Sequence, residues 1–150
     1  MSTSSVELSP AAREIHWLME DLVARVPAVR AALAVSSDGL LMARSASLDR
    51  VGSEHLAAVV AGFRSLGDGA APVLGVGHPE QVVLVASEGF LVVSAIGQGS
   101  ALGVIAGKPC DLGLVGYELA LAATRIGAAL TPTLMTELKR SVLRLSLIHI

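Results

Sequence analysis

Between Gln81 and Ala106 three apolar runs, QVVLVA, FLVVSAI and ALGVIA, are separated only by Ser87-Glu88-Gly89 and by Gly97 to Ser100. Connections this short cannot carry a parallel crossover, which needs a dozen or more residues, so the three runs must form an antiparallel meander. Val29 to Ser36 and Leu40 to Ser45, joined through Ser37-Asp38-Gly39, read in the same way as a hairpin whose Asp-Gly step favours positive φ. Helical periodicity occupies most of the remainder. Ser9 and Pro10 predict the N-cap and first residue of a helix striped by Ile15, Leu18, Met19, Leu22, Val23 and Val26 and ended by Pro27. A second helix is expected from Asp49 to about Leu66, and a third from an Asp111 cap to about Leu130. Gly67 to Pro79, crowded with glycine and proline, reads as a loop or a distorted edge segment. After Thr131-Pro132-Thr133, the spacing of Leu134, Leu138, Val142 and Leu145 predicts an amphipathic turn or two packing back on the domain.

The order αββαβββα places the chain in the α+β class, with a five-stranded antiparallel sheet and helices on both faces. Residues 1–9 are expected to be flexible, 10–130 to form the domain and 131–150 an extension whose terminal SLIHI is oddly apolar and reads as foreign to the fold. At 150 residues one domain is the natural partition. Of these residues 53% are hydrophobic and only 16% charged, more apolar material than a monomer of this size readily covers with polar surface. Self-association follows. A net charge of −2 and a pI near 6.0 offer no footprint for nucleic acid. One cysteine, Cys110, excludes an internal disulfide and a thiolate-rich metal site and fits a reducing compartment. Residues 1–9 lack the order of a signal peptide, and Glu118 and Arg125 interrupt the apolar stretch from Leu112 to Leu130, so a cytoplasmic protein without membrane insertion is expected.

No constellation for catalysis, cofactor or metal survives inspection. Gly103 to Pro109 echoes a phosphate loop, but Leu102 stands where glycine is required and Pro109 where a hydroxyl must ligate magnesium. Gly97, Gly99 and Gly103 miss the dinucleotide fingerprint by one residue and join two strands, which makes them hairpin glycines. His16, His55, His78 and His149 share no helical spacing and are expected at the solvated surface. Cys110 has Lys108 nearby but no base placed beside it by any motif, and is read as a small, semi-buried residue.

The second helix is less generic. Ala57, Ala58, Ala61, Gly62 and Ser65 recur at three- and four-residue spacing, and mid-helix Gly62 costs about 1 kcal/mol against alanine, a loss usually offset where another backbone comes close. Either a second helix packs on this stripe or the stripe faces the domain's own sheet. The unbroken apolar run within Gln81 to Ala86 further predicts a strand covered on both faces.

The strings HWLMEDLV at His16 to Val23 with Val26-Pro27, SSDGL at Ser36 to Leu40, EHLAAVVAGF at Glu54 to Phe63 and GLVGYELA at Gly113 to Ala120 resemble the roadblock (dynein light-chain) family over about residues 12 to 135. The likeness is to its actinobacterial branch, encoded beside a sensor kinase and a small Ras-like GTPase, and more distantly to the bacterial gliding-motility GTPase activator. It implies a sheet between one helix and two, and a homodimer in which the second helices pack together while the strand at Gln81 to Ala86 pairs with its mate. Ala57, Ala58, Ala61, Gly62, Ser65, Val82 and Leu84 would form that interface. It further implies a non-enzymatic regulator of a Ras-like GTPase, an activator or a complex subunit, held near the inner face of the membrane by its partners, with the sensor histidine kinase complex among them. A pure scaffold without effect on hydrolysis, or a small-ligand sensor with Gly67 to Pro79 as its lid, are the rivals. The family activator is not credited with an inserted arginine, and Arg44, Arg50 and Arg64 are expected to be solvated surface charges.

Overall fold

The computed structural model describes residues 7–97 and 99–148, with side chains through residue 143. The elements run α1 (Pro10–Arg25), β1 (Val29–Val35), β2 (Leu41–Arg44), α2 (Arg50–Leu74), β3 (Gln81–Val85), β4 (Gly89–Ile96), β5 (Ser100–Gly107), α3 (Leu112–Ala129) and α4 (Pro132–Ile148). All five strands pair antiparallel in the order β2-β1-β5-β4-β3. The α+β class and the five-stranded sheet with helices on both faces are as expected; the element order gains a fourth helix. Of the flexible start expected over residues 1–9, the first six lie outside the described residues, as do His149 and Ile150, while Ser9 is held by Glu137.

Two cores sandwich the sheet. On one face Ile15, Met19 and Leu22 of α1 and Val115, Leu119 and Ile126 of α3 meet Val92, Leu102 and Val104 of the strands. On the other, Ala57 and Val60 of α2 meet Leu33, Val35, Leu91 and Val93. Of the described helices, α3 is the one long and apolar enough to cross a membrane. Its buried face covers the sheet here, and both its charges are paired with α1, Glu118 with Arg25 at 3.0 Å and Arg125 with Glu14 at 2.6 Å.

Caps fix most helix starts. Ser9 accepts from the Ala12 N–H with Pro10 at the first position, and Asp49 and Asp111 accept from the N–H groups of Gly52 and Leu114. Such caps contribute about 1 kcal/mol each. The Thr131 hydroxyl accepts from the Leu134 N–H at 3.1 Å, so the residues that end α3 also start α4.

The segment after Leu66 is helical, contrary to the loop expected over Gly67 to Pro79. Its first half continues α2 to Leu74, with Pro72 in the last turn and Gly75 closing it in the left-handed region at φ 66°. Glycine is needed at 67 because β3 comes close: a Cβ there would lie 2.8 Å from Val82 Cγ2. Arg64 and Asp68, one turn apart at 3.1 Å, support the same stretch.

Helix α4 straddles the β2 edge, burying Leu134 and Leu138 in the α1 core while Val142 packs on the α2 core. It is tied to α1 through Glu137, which accepts from the Ser9 N–H at 2.8 Å and the Ser9 hydroxyl at 2.7 Å. The Ser141 hydroxyl lies 3.5 Å from His16 Nε2. His16 is therefore half-buried at the junction of α1 and α4 and not the solvated residue expected; His55 and His78 are exposed. Burial first, and Arg44 second, hold the His16 imidazole below its ordinary 6.5, against the opposing pull of Glu137 and Glu20. The folded state thus binds fewer protons than the unfolded one, so this contribution is present above the ordinary value and lost as pH falls through it. The Glu137 carboxyl is held below its ordinary value by the Ser9 N–H and hydroxyl, and that contribution is lost at still lower pH. The melting temperature should fall between about pH 7.5 and 5.5, and His16→Asn should flatten the decline over that interval. Thermal unfolding across the pH series checks this; an unchanged slope in the variant contradicts the assignment.

Candidate functional site

No described cluster of His, Cys, Asp and Glu has metal-binding geometry. The phosphate-loop echo runs through β5, with Leu102 buried in the core, and α3 starts only at Leu112, so no helix N-terminus lies at Gly107-Lys108 as a phosphate loop requires. Gly97 and Gly99 take positive φ, 45° and 88°, in the β4–β5 turn, as hairpin glycines do. Cys110 is half-buried against the α1 core beside the cis Lys108–Pro109 bond, a packing residue as read.

The arginines depart from expectation. The Arg64 guanidinium donates to the carbonyls of Gly97 and Ser100 and to Asp68, with its side chain 14% exposed, so it is a tie between α2 and the β4–β5 turn. Arg44 donates to the Leu48 carbonyl at the start of α2. Neither is a solvated charge, and reaching across an interface would require Arg64 to surrender these bonds.

What remains is a surface. Ala57 is 1% exposed and packs on the domain's own sheet, so it leaves the expected interface set. Ala58, Gly62 and Ser65 are exposed on the opposite side of α2, and Ala61 lies between, its Cβ near Gly39 of the hairpin turn. A Cβ built on Gly62 meets nothing within 4 Å. No part of the described chain therefore explains that glycine. Around the stripe stand further apolar residues: Leu66, Val73, Leu74 and Val76 are 68–86% exposed. The helical spacing of Leu66, Val73 and Leu74 is present in the sequence but obscured by the surrounding glycines and prolines, and Val76 lies just past the Gly75 cap.

Strand β3 lies at the sheet edge next to this helix. Val82 touches the Gly67 position from the α2 face, and Leu84, two residues on, shares that face and is 47% exposed. Val83 and Val85 point to the α3 face, 41% and 62% exposed. The covering expected for this strand is thus absent among the described residues of one chain. The Ala86 N–H donates to the Gly89 carbonyl and the Ala95 N–H to the Glu80 carbonyl, which puts the even-numbered residues of β3 in hydrogen-bonded pairs with β4. Antiparallel alternation then turns the N–H and C=O groups of Gln81, Val83 and Val85 outward along the open edge.

The pattern of the Roadblock/LC7 domain matches residues 15–106. A Roadblock/LC7 domain from Streptomyces avermitilis is 38% identical, with a TM-score of 0.70 over 74% of this chain and 92% of that one. Myxococcus xanthus MglB, at 19% identity, superposes with a TM-score of 0.69 over 77% of this chain and 93% of that chain. Acanthamoeba castellanii profilin IA shares the fold at 16% identity, with a TM-score of 0.57 over 77% and 98% of the two chains. No curated protein sequence matches the chain. The sheet, its helical layers, the matched sequence pattern and the Streptomyces relative agree: the chain belongs to the Roadblock/LC7 domain family.

Proposed function

We propose that the protein is a homodimeric, non-enzymatic regulator of a small Ras-like GTPase. The observation that carries the self-association is the continuous apolar surface formed by the outer face of α2 and the open edge of β3, with Gly62 at a position that no part of its own chain approaches. A second copy supplies what both elements lack. A two-fold axis at Val83 would bring Val83 opposite Val83 and Gln81 opposite Val85 of the mate, satisfying the outward backbone groups of all three residues. Two α2 helices would then approach over Ala58, Gly62 and Ser65, with Leu66 and Val73 beside them. Burying that apolar surface drives association in the ordinary way, at roughly 25 cal/mol per Å².

The GTPase as partner rests on membership of the Roadblock/LC7 family. With Arg64 and Arg44 engaged in the fold, the regulator acts by binding one nucleotide state of the GTPase better than the other. Complexes that also hold a sensor kinase, and with them a place at the inner face of the membrane, belong to the same reading.

Gly62→Leu should weaken the dimer by roughly 1–3 kcal/mol, the usual cost of overpacking, while leaving the subunit folded because its side chain points into open space. Light scattering should show twice 15.3 kDa for the native chain and a shift toward 15.3 kDa for the variant, with unchanged circular dichroism. A variant that stays dimeric places the contact elsewhere.

For the activity, GTP turnover by a Ras-like GTPase from the same organism should rise on adding the native chain at stoichiometric amounts and stay at its basal rate with Gly62→Leu. Complex formation without a change in turnover indicates a scaffold. Absence of both binding and rate change overturns the GTPase reading.

A further inference from the structure

Between α2, α4 and the β1–β2 turn lies a groove of about 380 Å³ that is apart from the proposed interface and has the core residues Leu41 and Ala57 as its floor. Leu40 and Leu41 of the hairpin and Val142 and Leu143 of α4 make it apolar, while Glu54 on α2 and Arg140 on α4 bring opposite charges to it. Leu40 is 52% exposed and Leu143 61%, so the apolar rim of the groove is open to solvent while Leu41 is buried beneath it. The second cation of the groove, Lys139, is already paired with Asp38 at 3.7 Å. Among the described residues, by contrast, no ion pair joins Glu54 to Arg140, and neither has another charged partner.

An apolar trough with one unpaired acid and one unpaired base is complementary to a ligand bearing both charges on an apolar body. We propose that this groove binds a small zwitterion with an apolar side chain, an α-amino acid of the leucine or phenylalanine type. Its ammonium pairs with Glu54, its carboxylate takes the two-pronged guanidinium of Arg140, and its side chain lies against Leu40, Leu41 and Val142. The volume, near the lower end of the roughly 300–1,000 Å³ typical of ligand pockets, suits a ligand of this size. A purely anionic amphiphile would leave Glu54 unpaired and a purely cationic one Arg140, so each satisfies only one wall of the groove. The site does not depend on the dimer or on the GTPase.

Calorimetry on the full chain with L-leucine and L-phenylalanine tests it, alongside 4-methylpentanoate, which lacks the ammonium, and isoamylamine, which lacks the carboxylate. Saturable binding of at least one amino acid is expected, with each truncated analogue roughly tenfold weaker, the effect of losing one charge-assisted contact. Both groove charges are exposed, so Glu54→Gln and Arg140→Gln should leave the fold intact by circular dichroism. Glu54→Gln should erase the preference for leucine over 4-methylpentanoate, and Arg140→Gln its preference over isoamylamine. No saturable binding of either amino acid below about 10 mM overturns the proposal. So does an analogue that binds the native chain as well as leucine, or a preference that both variants retain.

Discussion

A five-stranded sheet has two edges, and each edge strand carries a row of backbone N–H and C=O groups that must be satisfied or shielded. This chain treats its edges differently. On the β2 side α4 lies along the margin, with Leu134 and Leu138 in one core and Val142 in the other, so a single helix closes both layers. On the β3 side nothing of the described chain covers the strand, and the outward groups of Gln81, Val83 and Val85 stand beside exposed apolar side chains. Most of what is proposed for this protein follows from that asymmetry.

Helix α2 turns the open edge into a larger surface. Its inner side is conventional core, Ala57 and Val60 on the central strands, while its outer side combines Ala58, Gly62 and Ser65 with exposed Leu66 and Val73. Glycine at 67 lets the helix settle on Val82, which joins helix and edge strand into one continuous face. Arg64 ties the same helix to the β4–β5 turn through two carbonyls, so the surface is presented on a braced element. Preorganisation of this kind lowers the ordering cost of association.

The strands, the first hairpin, the Ser9 and Asp111 caps and the start of α2 near Asp49 were legible in the sequence because each rests on local chemistry: turn length, Asp-Gly conformation, a short polar side chain before an apolar run, and helical spacing. The end of α2 was not, since Gly67 looks like punctuation until Val82 is seen to require it. The Arg64–Asp68 spacing and the apolar spacing of Leu66, Val73 and Leu74 are the local signs that the helix continues. Thr131-Pro132 is both a stop for α3 and a start for α4, and proline chemistry alone signals only the stop. Of the site residues, periodicity identified the small stripe but could not say which side of it faces inward, so Ala57 was grouped with Gly62. The roles of Arg64 and His16 depend on groups distant in sequence, Gly97 and Ser100 for one and Ser141 and Glu137 for the other, and no spacing rule reveals them.

Amide hydrogen exchange at Val83 and Val85 tests the central claim most directly, because their N–H groups face away from β4. If the β3 edge is paired with a second copy, these amides should be protected about as well as those of Val82 and Leu84 and should lose that protection on dilution to the monomer. Exchange at Val83 and Val85 as fast as in exposed turns, at concentrations where Val82 and Leu84 remain protected and the protein is dimeric by mass, would contradict it.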